Sequence, residues 1–166
     1  AEPVESKWAE VREAQRLTLD RLPDTGMAIT IDVGDPSDIH PTNKLPVGQR
    51  LAALALRDVY GRASETPVNG PLVRGASIDG RTVRIRFDNA DGLRTTSGDV
   101  VTGFALAGPD GAFRWANAAT HGDTVVVAAD SIREPTKVRY RCSDNPAVHL
   151  LHAAGLPASP FELDLK

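Results

Sequence analysis

The sequence predicts a mixed fold, α/β over residues 1–64 and all-β over residues 65–166. Three observations carry that reading. Two amphipathic stretches flank a short β-branched run in the first part. Short β-prone runs, separated by turns containing Gly and Asp, fill the second. The length of 166 residues suits one ordinary domain or two small ones.

The first helix is expected around Trp8, Val11, Ala14, Leu17 and Leu22, which recur at near-helical spacing and form an apolar core stripe. Glu10, Arg12, Glu13 and Arg16 occupy its other face, and Pro23-Asp-Thr-Gly26 ends it. Met27-Ala-Ile-Thr-Ile-Asp-Val33 is a short apolar run bounded by Gly26 and Gly34, and it suits a buried strand of a parallel sheet. The segment from Gly34 to Leu45 is rich in Asp, Pro, Ser, Asn and Thr and reads as a loop. After Pro46, an apolar stripe of Val47, Leu51, Leu54, Ala55 and Val59 predicts a second helix closing near Tyr60-Gly61. One parallel strand makes no sheet by itself. This part is therefore expected to belong to a larger domain, its sheet completed by other chain.

In the second part, strands are expected at Leu72–Ile78, Thr82–Phe87, Val100–Ala107, Phe113–Ala116, Thr124–Ala128 and Val138–Cys142. Asp79-Gly80, Asp91-Gly92, Pro109-Asp-Gly111 and His121-Gly122 supply the turns between them. Regular spacing of this kind predicts an antiparallel sandwich or a barrel-like sheet. Gly155-Leu-Pro-Ala-Ser-Pro-Phe161 is too rich in Pro for a helix and reads as an irregular tail.

Hydrophobic residues make up 41% and charged residues 25% of the chain, enough apolar side chain for a folded core. The net charge of −3 comes from 19 basic and 22 acidic residues that are interspersed, with no Lys/Arg block. That distribution argues against nucleic acid or an anionic membrane as a partner. No apolar run approaches the ~20 residues of a membrane span. Ala1-Glu-Pro-Val-Glu-Ser6 lacks the charged-then-apolar order of a signal peptide. The single Cys142 forms no internal disulfide and reads as a part-buried strand residue.

The loop from Asp32 to Lys44 carries the densest chemistry. It holds His40, the carboxylates of Asp32, Asp35 and Asp38, and the Lys44 ammonium. A neutral His takes a proton from a hydroxyl when a second group fixes its tautomer and stabilises the imidazolium. Asp38 is nearest in sequence, followed by Asp35. Pro41 restricts His40 to extended backbone. The same composition also builds an ordinary surface turn, and Asp35, Asp38 and His40 match no strong metal-binding spacing. Arg50 is expected to pair with Asp32 or Asp35, and Lys44 to be a surface residue. Trp8 reads as packing, whereas Trp115 suits packing and sugar stacking equally. His121, His149 and His152 read as structural, although the spacing of the last two matches one helical turn.

Trp8-Ala-Glu-Val-Arg-Glu-Ala-Gln15, the run from Thr25 to Asp35, Asp38-Ile-His40-Pro41-Thr-Asn-Lys44 and Gly48-Gln-Arg50-Leu together resemble the end of the catalytic domain of sialate O-acetylesterases. Those enzymes belong to the SGNH-hydrolase superfamily of carbohydrate acetylesterases. The likeness continues through Gly70-Pro71, Asn89-Ala-Asp-Gly-Leu93, Gly103-Phe104, Asp123-Thr-Val125 and Val138-Arg-Tyr140. It ends with Asp144-Asn-Pro146 and Gly155 to Phe161, so it spans nearly the whole chain. The Ile-His-Pro-x-x-Lys stretch is its most specific piece.

The resemblance implies that residues 1–64 are the last strand–loop–helix of an SGNH-type, flavodoxin-like hydrolase domain. Residues 65–166 would then be an antiparallel β-sandwich-like domain. It implies His40 as catalytic base, no cofactor and no metal, an acetylated carbohydrate substrate and a secreted or periplasmic location. Related enzymes often place Asp three residues before the His, where this chain has Ser37. Asp38 is the nearest orienting acid, with Asp35 and Asp32 as alternatives. The nucleophilic Ser is expected in a Gly-x-Ser context, and Ser6, Ser37, Ser64, Ser77, Ser97, Ser131, Ser143 and Ser159 all lie outside such a turn. The chain is accordingly expected to be a carboxyl-terminal portion, fragment or processed subunit. An amino-terminal portion of the same enzyme would be its partner and bring the Ser. No residue is singled out for substrate binding.

Overall fold

The computed structural model describes residues 3, 5–62, 67–96, 98 and 100–166. Ser64, Ser97 and the expected boundary between residues 64 and 65 lie outside the described residues. The described chain is mostly antiparallel β-structure with two helices.

Helix α1 spans Lys7–Arg21 and begins at Ser6, whose hydroxyl accepts from the Ala9 amide at 3.1 Å. That bond satisfies one of the orphan donors of the first turn. Helix α2 spans Leu45–Asp58 and carries Pro46 in its first turn, where no backbone donor is lost.

The strands are β1 Leu72–Asp79, β2 Thr82–Asp88, β3 Arg94–Thr95, β4 Val100–Val101, β5 Phe104–Ala107, β6 Phe113–Trp115, β7 Asn117–His121, β8 Thr124–Ala128, β9 Lys137–Tyr140, β10 Leu150–Leu151 and β11 Phe161–Asp164. They form a five-stranded sheet in the order β1-β2-β8-β7-β4, a four-stranded sheet in the order β11-β9-β5-β6, and the pair β10-β3. Gly80 (φ 60°) and Gly122 (φ 62°) take the left-handed turn conformation between β1 and β2 and between β7 and β8.

Alternation fixes which faces meet. Val83, Ile85 and Phe87 of β2, with Val125 and Val127 of β8, point to the same side of the larger sheet. They share one apolar cluster with Phe104, Leu106, Val138, Tyr140 and Phe161 of the four-stranded sheet. Phe104 and Tyr140 stack with ring centroids 4.6 Å apart, and Phe161 meets both. The Tyr140 hydroxyl accepts from the Leu150 amide at 3.1 Å, tying β10 to this core.

Four expectations are corrected. The expected β-run Val100–Ala107 is interrupted at Thr102-Gly103, where Gly103 has φ 90°. The tail is irregular only as far as Pro160, after which β11 pairs with β9. Met27–Val33 forms no strand, and of its residues only Ile29 is buried. No strand among the described residues pairs with it, and side chains meet two of its carbonyls. Arg50 donates to the Ile29 carbonyl at 2.6 Å. Asn69, in the amide orientation that satisfies its neighbours, donates to the Met27 carbonyl at 2.9 Å.

The fourth correction concerns α1, which meets the rest of the protein with its charged face. Arg16 is 6% exposed whereas Trp8 is 55% exposed, and Val11, Leu17 and Leu22 also face outward. Ser6 donates to Asp144 at 2.7 Å, Arg12 donates to the carbonyls of Ser143 and Asp144, and Glu13 accepts from the Glu162 amide at 3.3 Å. Arg139, nearly buried and stacked on the Phe113 ring, pairs with Glu5 at 3.1 Å. Buried polar groups on the outer side of β9 and β11 require partners, and the charged helix face supplies them. The apolar stripe is left on the outside.

Candidate active site

The loop after Met27–Thr30 descends without regular structure to α2 and carries His40 on its exposed part. Three local contacts shape it. Arg50, projecting back from α2, grips Asp32 through two hydrogen bonds of 2.6 Å each. A planar guanidinium matches a carboxylate in this fork geometry. Farther along, Asp35 Oδ1 accepts from the Ser37 hydroxyl at 2.7 Å and the Ser37 amide at 2.8 Å. Those bonds hold the Asp35 carboxyl below the usual aspartate range, the hydroxyl contributing most. Asp38 Oδ1 accepts from the backbone amide of His40 at 2.8 Å, an Asx turn that sets the approach of the chain to the histidine.

Each expected site residue is thus placed. His40, Asp38 and Asp35 share one exposed turn, with Asp38 contacting the His40 backbone rather than its ring. Asp32 is engaged by Arg50. Lys44 immediately precedes α2 and is exposed, as expected of a surface residue. Ser6 caps α1 and Ser159 is buried against the Pro160 carbonyl. Cys142 sits just beyond β9, and burial pushes its thiol up to about 12, which leaves it protonated and unreactive. His149 and His152 do not share a helix, because β10 lies between them. His152 is buried, and its Nδ1 accepts from the Ala154 amide. Trp115 is 54% exposed.

A cleft of about 380 Å³ opens where the His40 loop, α1 and the segment after β9 converge. Its lining includes Trp8, Arg12, Asp35, Asp38, Asp144 and Asn145. The sequence offered no signal for this convergence. Trp8 reads as core from its helical spacing, and Asp144-Asn-Pro146 stands out only as a segment of the family resemblance. A larger cavity of about 540 Å³ lies under α1 against β9 and β11, lined by Glu13, Arg16, Arg139, Cys142 and Glu162 among others. It shares no lining residue with the His40 loop. Among the described residues no group of His, Cys, Asp and Glu converges to hold a metal ion, and no helix is long and apolar enough to cross a membrane.

No protein-family model matches the chain, and neither does any curated protein. Among solved structures it matches the crystal structure of a novel carbohydrate acetylesterase from Xanthomonas citri, with a TM-score of 0.87 and 43% sequence identity. The chain is similar to part of a carbohydrate acetylesterase. The match covers 96% of this chain, and the chain spans 37% of the length of the Xanthomonas citri enzyme.

Proposed function

We propose that this chain is part of a serine carbohydrate O-acetylesterase and that its contribution to catalysis is His40. The likeness to the Xanthomonas citri enzyme at 43% identity is the observation that carries this reading. The accessibility of His40, on a turn fixed by Asp35, Asp38 and the Arg50–Asp32 pair, supports it.

In the proposed reaction a Ser hydroxyl from residues outside this chain attacks the acetyl carbonyl. His40 accepts the hydroxyl proton as the new C–O bond forms. The tetrahedral intermediate collapses, the sugar oxygen departs with the proton from His40, and an acetyl-enzyme remains. Water then attacks that ester, His40 again accepts the proton, and acetate leaves as the proton returns to the Ser. Asp38 is the proposed orienting acid, because its second oxygen is uncommitted by the Asx turn. Asp35 and Asp32 are the alternatives, the latter already shared with Arg50.

On this reading residues 1–64 are the last portion of an SGNH-type hydrolase domain, contributing the His40 loop and α2, and residues 65–166 a sandwich-like domain appended to it. The partner is the amino-terminal portion bearing the Ser, and the substrate is an O-acetylated sugar such as 9-O-acetyl sialate or an acetylated plant polysaccharide such as xyloglucan. The proposed setting is secreted or periplasmic, with neither nucleic acid nor membrane as a partner. Exposed apolar side chains support the partner: Leu51, Val59 and Tyr60 of the α2 region are 53%, 74% and 69% exposed. The same surface favours a second reading, a non-catalytic carbohydrate-binding or structural β-domain that completes a partner hydrolase.

Identifying whatever co-purifies with the chain tests the first reading. A partner carrying Gly-x-Ser is expected, together with negligible acetyl-ester turnover by the 166-residue chain alone. Turnover by the purified chain at the rate of a complete esterase would contradict the proposal.

A further inference from the structure

The cleft beside the His40 loop has walls that are fixed before any ligand arrives. Ser6, the cap of α1, holds Asp144 Oδ1 at 2.7 Å. Arg12, one helical turn beyond Trp8, donates to the carbonyls of Ser143 and Asp144. The same helix therefore carries Trp8 and anchors the Asp144–Pro146 wall. On the other side, Ser37 holds Asp35 through two bonds to Oδ1. Such preorganisation removes ordering cost from binding.

Two features define what the cleft accommodates. Trp8 is 55% exposed and presents an aromatic surface at its edge. The charged lining is Asp35, Asp38 and Asp144 against Arg12 alone, and that guanidinium is turned toward backbone carbonyls. Carboxylates accept hydrogen bonds and do not donate them. An aromatic surface beside acceptors complements a sugar ring, which offers an apolar C–H face and a rim of hydroxyl donors. A sugar bearing its own carboxylate brings a like charge into the same space.

We propose that this cleft is a subsite for an uncharged sugar unit of the substrate, with Trp8 as the stacking platform and Asp144 and Asn145 as hydrogen-bond partners. The inference rests on the acetylesterase reading and narrows it, because an acidic sugar such as sialic acid is disfavoured here.

The test follows the Trp8 indole N–H resonance in the ¹⁵N-labelled chain, assigned by its absence in Trp8→Phe. Titration uses uncharged tetrasaccharides of glucose and of xylose, with N-acetylneuraminic acid and galacturonic acid as the charged probes. Saturable shifts with at least one uncharged probe are expected, with binding at least tenfold weaker for both acids. Trp8→Ala and Asn145→Ala are each expected to weaken the uncharged ligand about tenfold or more, followed on the backbone amides of residues 143–145. No shift with any uncharged probe, equal binding of the acids, or parent-like binding by Trp8→Ala would overturn the proposal. His40→Ala is expected to leave these shifts intact, so the subsite and the catalytic assignment fail separately.

Discussion

Arg50 holds Asp32 in a two-pronged grip at 2.6 Å and simultaneously caps the Ile29 carbonyl at 2.6 Å. One side chain from α2 thereby fixes both the segment entering the His40 loop and the first carboxylate in it. Both partners are largely shielded, with side-chain exposures of 13% for Arg50 and 23% for Asp32. Arg50→Met is therefore expected to cost about 2–3 kcal/mol of stability in urea unfolding, because Asp32 loses charge-assisted partners in a part-buried site. Arg50→Lys is expected to recover less than half of that loss, since an ammonium does not reproduce the fork.

Cys142 yields a prediction with a defined pH window. Burial raises its pKa to about 12 in the folded chain, whereas an unfolded Cys titrates near ~8.5. The folded thiol stays protonated while the unfolded one ionises. Stability from this group is therefore complete below ~8.5 and declines as pH rises toward about 12. Cys142→Ser or Cys142→Ala is expected to remove that decline, read as Tm against pH from 8 to 11. Thiol labelling at pH 8 is expected to be slow in the native chain and fast in denaturant, and equal rates would contradict the burial argument.

The outward apolar surface of α2 gives a third expectation. Leu51→Glu and Val59→Glu alter exposed positions and should change the stability of the isolated chain by less than ~0.5 kcal/mol. The same changes should weaken association with the Ser-bearing portion by tenfold or more, measured by co-purification yield or calorimetry. Loss of stability in the isolated chain would mean that this surface packs internally.

Much of the β-structure was legible because its signals were local. Thr82–Phe87 alternates apolar with polar residues, Thr124–Ala128 is a β-branched run, each follows a Gly-containing turn, and both form strands where expected. Asn117-Ala-Ala-Thr-His121 has too few β-branched or aromatic residues to announce itself, yet it pairs on both sides within the larger sheet. Helical spacing located α1 correctly but did not reveal which face meets the protein. That choice depends on Arg139, Asp144 and the Glu162 amide, residues more than a hundred positions away. Met27–Val33 has strand composition without a neighbouring strand among the described residues to pair with. The Arg50–Asp32 pair was readable from opposite charges flanking a loop. The bond from the His40 amide to Asp38 was not, because an Asp two residues before a His suits an Asx turn as well as a catalytic contact.

The central claim is that His40 is the general base of an acetylesterase, and replacing it in the complete enzyme tests this most directly. His40→Ala should lower kcat for acetyl-ester hydrolysis by about three orders of magnitude or more, with KM little changed and the fold intact by circular dichroism. Activity of His40→Ala within tenfold of the parent would contradict the account and assign the base to another residue.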